Sequence, residues 1–278
     1  MFEAGRKARE PSDSLWWDAW NPAECGITGV ESCMSNSGAT HWHPESIPAH
    51  EVCTRDTATP MRSLPFKTLL FDVDGTLIDS NDAHAESWTQ ALKEHGVTVE
   101  VDQIRRMIGM GGDKILPAVA HVSEDSDAGK AIAGRKKQIF GAMLPGLRAT
   151  RGARPLLEYL SGRQIELIIA TSADDREMNA LLEQAGVDDL IPSRATKDDA
   201  AASKPDPDIV HAALARSWAR PEQTLLVGDT PYDIEAADRA GIGAIALRCG
   251  GYWPDSSLSG ALKIVDDPQA LLVHWGDR

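Results

Sequence analysis

The fold is decided by residues 66–77, which read FKTLLFDVDGTL. The run at 66–71 is short and mainly apolar, and it stops at an acidic turn that contains Gly75. A short apolar run bounded by polar turn residues is typical of a buried strand followed by a loop. The sequence therefore predicts a strand here, with Asp72 and Asp74 just beyond its carboxyl end.

Further apolar runs of strand length follow this stretch, and they alternate with helical patterns. Strands are predicted over residues 165–170, 224–227 and 244–247. Helices are predicted over residues 155–160, 177–184, 208–218 and 234–240. This alternation predicts an α/β fold, a Rossmann-like parallel sheet covered by helices on both faces.

Residues 80–144 show no strand pattern, and their apolar spacing is helical. Asn81 or Asp82 can cap a first helix, Asp102 can cap a second, and a third is expected around residues 131–143. We therefore expect an all-helical domain inserted after the first strand. The predicted domains are a core over 65–79 and 145–278 and a helical insertion over 80–144.

Residues 1–64 differ from the rest, because their apolar side chains are isolated aromatics without a sustained period. A packed core is hard to build from such a pattern, which favours a disordered or loosely packed extension. The alternative is a docking segment anchored by its tryptophans. Cysteines 25, 33 and 53 and histidines 41, 43 and 50 also lie here, but their spacing matches no zinc pattern, so free thiols are expected.

The composition limits the classes of function. The 278 residues correspond to about two domains, or one with an insertion, at roughly 150 residues per domain. No run approaches the roughly 18 apolar residues of a membrane span, and the first 30 residues lack a signal-peptide core, so we expect a cytoplasmic protein without a membrane partner. The net charge of −14 argues against nucleic acid. This charge would repel an anionic substrate unless groups at the binding site made the local electrostatic potential positive.

Carboxylates follow two of the predicted strands. Asp72 and Asp74 follow the first, and Asp229 and Asp233 lie in the stretch GDTPYD at residues 228–233. Ligands of open α/β sheets bind beyond the carboxyl ends of strands, and converging carboxylates there need a cation, for which Mg²⁺ fits best. For Asp233 alone, a favourable charge at a helix N-terminus is the alternative.

An EF-hand calcium loop starting at Asp72 is excluded, because its twelfth position is Ala83 and not Glu. Two further motifs suit phosphate. Thr171 and Ser172 end a predicted strand, and Lys204 precedes a helix that starts with proline. Hydroxyls and free backbone N–H groups at such a strand end can hold a phosphate.

These four motifs, in this order, resemble the haloacid dehalogenase (HAD) superfamily, in the branch of phosphoglycolate phosphatases and β-phosphoglucomutases that carries a helical cap. The resemblance extends from about residue 66 to the C-terminus. It implies that Asp72 is a nucleophile that forms an aspartyl-phosphate, and that Asp74 is the general acid and then the base. It further implies phosphate binding by Thr171, Ser172 and Lys204. The implied Mg²⁺ ligands are Asp72, the backbone carbonyl of Asp74 and Asp229, with Asp233 in support.

Single residues separate the chemistries within this superfamily. Asp74 argues against haloacid dehalogenases and phosphonoacetaldehyde hydrolases, which lack an acid at that place. Gly228 stands where β-phosphoglucomutases usually have Glu, which favours hydrolysis. We expect a magnesium-dependent phosphatase of a small phosphorylated metabolite, with a phosphomutase or a non-catalytic regulatory or docking protein as alternatives. Oligomeric state stays open, with a monomer slightly favoured.

Two features of the cap complete these expectations. Residues 105–114, RRMIGMGGDK, form either a flexible loop that brings Arg106 or Lys114 to the substrate or a turn between helices with exposed basic residues. Asp74 can act as an acid near neutral pH only if it holds its proton, and burial beneath a closed cap would favour this.

Overall fold

The strand predicted from residues 66–71 forms as β1, and it lies inside a parallel sheet. The computed structural model describes residues 64–276, and within them the sheet has six strands in the order β3-β2-β1-β4-β5-β6. Every neighbouring pair is parallel. The strands are β1 Thr68–Phe71, β2 Glu166–Ala170, β3 Ser193–Ala195, β4 Thr224–Gly228, β5 Gly243–Leu247 and β6 Lys263–Val265.

Burial explains why the inner strands read as continuous apolar runs. All four residues of β1 are buried, and alternate residues of a strand point to opposite faces, so both faces are covered at β1. The edge strands β3 and β6 were not predicted, because a three-residue strand is too short to show a pattern. The α/β fold class is confirmed by this sheet and by its covering helices.

Nine α-helices lie within residues 64–276. They are α1 Asn81–Glu94, α2 Val101–Arg105, α3 Gly112–Ala120, α4 Asp127–Met143, α5 Ala153–Gly162, α6 Asp175–Ala185, α7 Asp208–Leu214, α8 Pro231–Arg239 and α9 Pro268–Gly276. Helix α3 was not predicted: it begins at Gly112 and carries Lys114, which the sequence placed in a loop or turn.

The predicted caps of the first two helices were wrong. Ser80 occupies the N-cap position of α1 and Glu100 that of α2, and neither side chain caps its helix. Asn81 lies inside α1, where its side chain bonds to Asp229 instead of the helix N-terminus. Asn81 therefore bonds to a buried residue far away in the sequence and not to the backbone of its own helix.

Helices α1–α4, which we call the cap, form the segment between β1 and α5. Apolar side chains from all four helices pack into a cluster of their own, with Trp88, Leu92, Ile104, Leu116 and Ile132 among its members. The cap thus has its own small core.

The two chain segments that connect the cap to the sheet run side by side. The N–H of Asp79 donates to the carbonyl of Arg148 (2.9 Å), and the N–H of Thr150 donates to the carbonyl of Leu77 (3.0 Å). We call this pair of segments, 77–79 and 148–150, the stalk. The division at 80 and 144 stays a prediction as a domain boundary, although α1 starts at Asn81 and α4 ends at Met143.

Some predictions fall on residues outside the described range. The extension over residues 1–64, apart from Leu64, and the possible cysteine and histidine metal site lie in that part of the chain. Within residues 64–276, none of the helices combines the length and the apolarity required to cross a membrane.

Candidate active site

Three aspartates meet at the carboxyl end of the central strands. Strands β1 and β4 pair with Phe71 opposite Val227, so Asp72 and Asp229 leave the sheet side by side. Asp233 joins them from the first turn of α8. The three side chains can each offer an oxygen within 4.8 Å of the others. All are buried, with exposed fractions of 4% for Asp72, 2% for Asp229 and 1% for Asp233.

Lys204 lies among these aspartates and is fully buried. Its Nζ is 2.6 Å from Oδ1 of Asp72 and 2.7 Å from Oδ1 of Asp233. The other oxygen of Asp233 accepts hydrogen bonds from the N–H and the hydroxyl of Thr230, closing a capping box at the start of α8. Asp233 thus serves both as the helix N-terminal charge and as a member of the acidic group.

The electrostatics of this cluster show an excess of negative charge. Burial, together with the charges of Asp233 and Asp74, raises the pKa of Asp72 to about 7 against the opposing effect of Lys204. Burial and the charges of Asp233 and Asp72 also raise the pKa of Asp229 well above its usual value. Burial lowers the pKa of Lys204, but the two aspartates it contacts outweigh burial and raise it.

The acidic group fits a hard divalent cation. Its side chains offer oxygen ligands only, which are the ligands that such cations prefer. A bound cation would also relieve the repulsion that raises the pKa values of Asp72 and Asp229. The carboxylate of Asp74 is not part of this group.

Asp229 is held in place by hydrogen bonds from two segments. Nδ2 of Asn81 donates to its Oδ2 (2.8 Å), and the hydroxyl of Thr76 donates to its Oδ1 (3.2 Å). Gly75 makes this approach feasible: a Cβ there would lie 2.3 Å from both Asn81 Nδ2 and Asp229 Oδ2, and its φ of +72° favours glycine. The turn residue that marked the motif in the sequence therefore also makes room for the aspartate.

Asp74 contacts the cap instead of the acidic group. Its Oδ1 lies 2.7 Å from Nε2 of His84 and accepts a hydrogen bond from the hydroxyl of Ser80 (2.5 Å). Burial raises the pKa of Asp74, but the charge and hydrogen bond of His84 and the bond from Ser80 outweigh it and lower the pKa to about 2. Burial therefore acts in the expected direction, but in this closed geometry the two donors to Oδ1 decide the direction of the pKa shift.

A cavity of about 80 Å³ lies between this end of the sheet and the cap. Asp72, Asp74, Thr171 and Ser172 line it from the core, and His84 lies opposite them on the cap. Of the predicted phosphate-binding residues, Thr171 and Ser172 therefore face the same space as the two aspartates. Lys204 reaches this space only through its bond to Asp72.

Comparison with known proteins agrees with this arrangement. A family model described as haloacid dehalogenase-like hydrolase matches residues 69–247. The chain belongs to this family. The resemblance drawn from the four motifs is thereby confirmed.

Named relatives of this HAD-like hydrolase include phosphatases. The chain is 29% identical over 218 residues to the phosphoglycolate phosphatase of Rhodospirillum rubrum, covering 75% of this chain and 90% of that protein. It is 31% identical over 186 residues to the validoxylamine A 7'-phosphate phosphatase of Streptomyces hygroscopicus subsp. limoneus, covering 66% and 85%. A solved structure of a hydrolase from Pseudomonas syringae superimposes with a TM-score of 0.71 at 29% identity, covering 76% of this chain and 98% of that one.

The two cap residues predicted to reach the substrate lie elsewhere in this hydrolase. Nε of Arg106 donates to the hydroxyl of Tyr252 (2.5 Å), and Nζ of Lys114 lies 2.5 Å from Oδ2 of Asp206. Both join the cap to the core. Among the described residues, the lining of the 80 Å³ cavity includes neither, so a substrate contact by them stays a prediction.

Sequence reasoning missed several residues that the hydrolase brings to its site. His84 could have been found from the sequence. It lies four residues after Ser80, which immediately precedes α1, and residues four apart share one face of a helix. Both side chains contact Oδ1 of Asp74. Lys136 pairs with Glu177 across 41 positions, and Lys197 pairs with Glu124 across 73. Such distant pairs leave no local signal in one sequence.

Proposed function

We propose that this hydrolase is a Mg²⁺-dependent phosphatase of small phosphorylated metabolites, with Asp72 as the nucleophile. The observation that carries the proposal is the setting of Asp72. It is a buried carboxylate at the end of β1 that lines the cavity and is held by Lys204 at 2.6 Å. A carboxylate nucleophile divides phosphate ester hydrolysis into two easier steps.

In the first step, an oxygen of Asp72 attacks the phosphorus atom. A bond forms between this oxygen and phosphorus while the bond from phosphorus to the leaving oxygen breaks. Lys204 orients the carboxylate and places positive charge beside the transferring group. Thr171 and Ser172, which line the same cavity, bind the phosphoryl oxygens.

The leaving oxygen takes a proton from the Asp74–His84 pair. The two side chains are 2.7 Å apart, so one proton can be shared between them although the contact with His84 lowers the pKa of Asp74. In the second step, Asp74 accepts a proton from the water that attacks the aspartyl-phosphate, which frees inorganic phosphate and Asp72. The closed cap keeps bulk water from the first step.

Asp72, Asp229 and Asp233 would hold the Mg²⁺, together with the backbone carbonyl of Asp74 implied by the family resemblance. When bound, the ion supplies positive charge that stabilises the transferring phosphoryl group. The negatively charged chain as a whole would repel an anionic substrate. The charge of the ion, together with that of Lys204, makes the local potential at the site positive.

The relatives support a phosphorylated metabolite as the substrate. Their names give phosphoglycolate in one case and validoxylamine A 7'-phosphate in the other. These two molecules differ in size and charge, so the relatives support the reaction more strongly than they support any one substrate.

The proposal is tested by phosphate release from p-nitrophenyl phosphate and from a metabolite panel, with Mg²⁺ and after treatment with EDTA. We expect turnover that EDTA abolishes and that Mg²⁺ restores. Asp72→Asn should reduce kcat at least 1000-fold. The matched control is Asp189→Asn, which alters an exposed ion pair with Arg154 and should keep wild-type activity.

Two outcomes would contradict the proposal. Equal turnover by wild type and Asp72→Asn would remove the nucleophile. Phosphate transfer between positions of a hexose phosphate, without release of free phosphate, would identify a phosphomutase.

A further inference from the structure

Three ion pairs between cap and core surround the cavity, and we call them the wall pairs. On α4 of the cap, Lys136 lies 3.0 Å from Glu177 and Lys137 lies 2.5 Å from Asp174. From the core, Lys197 reaches Glu124 of the cap at 2.6 Å. All six residues line the cavity. Each wall lysine therefore has a carboxylate partner, and the charges of the three pairs sum to zero.

This balance disfavours a substrate with a second anionic group. A carboxylate or second phosphate at the wall would have to displace Glu124, Asp174 or Glu177 from its lysine. The displaced carboxylate would then stand beside a like charge, which is unfavourable in a confined site. A hydroxyl group avoids this cost, because it donates one hydrogen bond and accepts others. It can accept from the ammonium and donate to the carboxylate while the two stay in contact.

The space beyond the wall is large enough for the organic part of a substrate. A second cavity of about 430 Å³ shares Glu124, Ala133, Lys137 and Lys197 with the first. Ligand pockets usually span about 300–1,000 Å³, so the second cavity has the usual size and the 80 Å³ cavity does not. Lys197 and Glu124 therefore border both the space next to Asp72 and the larger space beyond the wall.

The lining of the second cavity offers acceptors as well as donors. Asp113, Glu124 and Asp125 lie around it together with Lys130, Lys137 and Lys197. Carboxylate oxygens accept hydrogen bonds from the O–H groups of a ligand and repel an anion.

We propose that the substrate is the monophosphate of an uncharged polyhydroxylated alcohol, a sugar or a cyclitol, whose hydroxyls bind between Lys197, Glu124 and Lys137. This inference rests on the proposed function, because it assumes that the phosphate is held at Asp72. It makes Glu124 and Lys197 determinants of specificity, with phosphate esters that carry a second anionic group as poor substrates.

The experiment compares kcat/KM of the wild-type enzyme with Mg²⁺ across matched phosphate esters. Glucose 6-phosphate, glucose 1-phosphate, fructose 6-phosphate and myo-inositol 1-phosphate represent uncharged polyols. 2-Phosphoglycolate and fructose 1,6-bisphosphate carry a second anionic group. We expect the best polyol monophosphate to exceed both anionic substrates at least tenfold. A higher kcat/KM for either anionic substrate would overturn the inference.

Two variants then locate the selectivity. Glu124→Gln and Lys197→Gln should each lower kcat/KM for the best polyol monophosphate at least tenfold more than for p-nitrophenyl phosphate, mainly through KM. Glu94→Gln is the matched control, because Glu94 forms an exposed ion pair with Arg135 on the cap and does not line either cavity. Equal losses on both substrates in the two variants would mean that the wall pairs only close the cap, and would overturn the inference.

These results also separate the two proposals. Turnover of p-nitrophenyl phosphate that depends on Asp72, combined with preference for an anionic substrate, overturns the inference and keeps the proposed function. Absence of phosphate release from every compound overturns both.

Discussion

The acidic group and the wall pairs border one cavity, yet their charges are arranged in opposite ways. In the acidic group, three buried carboxylates share the single ammonium of Lys204. At the wall, each lysine has its own carboxylate, and two of the three pairs are partly exposed. Lys197 and Glu124 keep 34% and 23% of their side chains exposed, and Lys137 and Asp174 keep 57% and 22%, whereas Lys136 and Glu177 keep only 7% and 14%. The unbalanced, buried region can hold a cation and perform chemistry. The balanced, partly exposed region can bind neutral groups and release them.

The strongest test of this comparison is removal of the one positive charge among the buried aspartates. Lys204→Met leaves Asp72 and Asp233 without their partner, and breaking a buried ion pair costs about 3–5 kcal/mol. We expect the free energy of unfolding, measured with urea, to fall by about that amount in metal-free protein. Phosphatase activity should fall at least 1000-fold.

Addition of Mg²⁺ should restore part of the stability of Lys204→Met, because the ion replaces positive charge at the same place. The matched control is Lys137→Met, a wall lysine that is 57% exposed. Similar losses of stability in the two variants would show that the difference in burial between Lys204 and Lys137 does not determine how much each lysine contributes to stability.

A second prediction concerns Asn81, which holds Asp229 from the cap. Residues that orient metal ligands typically contribute a factor of about 10–100 in metal affinity. Asn81→Ala should therefore raise the Mg²⁺ concentration for half-maximal activity by about that factor. Saturating Mg²⁺ should recover most of kcat. Asn179→Ala, on α6 where the side chain contacts Arg194, should change neither value.

The pH dependence of stability should distinguish the acidic group as well. The pKa of Asp72 is raised to about 7 in the folded protein, above its unfolded value near 3.8. The folded protein then binds more protons than the unfolded chain between these values, so its stability falls as pH rises through this window. Metal-free wild type should lose melting temperature between pH 5 and pH 8 more steeply than Asp72→Asn, and saturating Mg²⁺ should flatten the wild-type slope.

The smallest expected effect is at the wall. A double-mutant cycle with Lys197→Gln and Glu124→Gln should give a coupling energy of about 0.2–1 kcal/mol, because partly exposed ion pairs are screened by water and salt. Urea unfolding in low salt measures it. A coupling energy several times larger would show that the wall pair contributes as much to stability as the buried ion pairs of Lys204.

The sequence predicted those parts of the molecule that depend on local patterns. β1, β2, β4 and β5 show as apolar runs, and Asp72 and Asp229 were found because they directly follow two of these runs. Helix α3 was missed because glycines at 109, 111 and 112 read as a loop. The pKa shift of Asp74 was missed because it depends on His84, whose position is set by the packing of α1 within the cap, where its ring stacks on Phe140 of α4.

The stalk links the position of the cap to the state of the aspartates. Its two segments are hydrogen-bonded to each other, and Ile78 within it pairs with both Ala149 and Asp74. The two chain segments that connect the cap to the core are therefore linked to each other and do not form independent tethers. If the cap moved as a unit about them, Asn81 and His84, both on the first turn and a half of α1, would leave Asp229 and Asp74 in the same movement. Opening the cap for product exit would at once loosen a metal ligand and release the proton-sharing partner of Asp74. Substrate entry, metal affinity and the acid–base function of Asp74 would therefore all depend on the position of the cap.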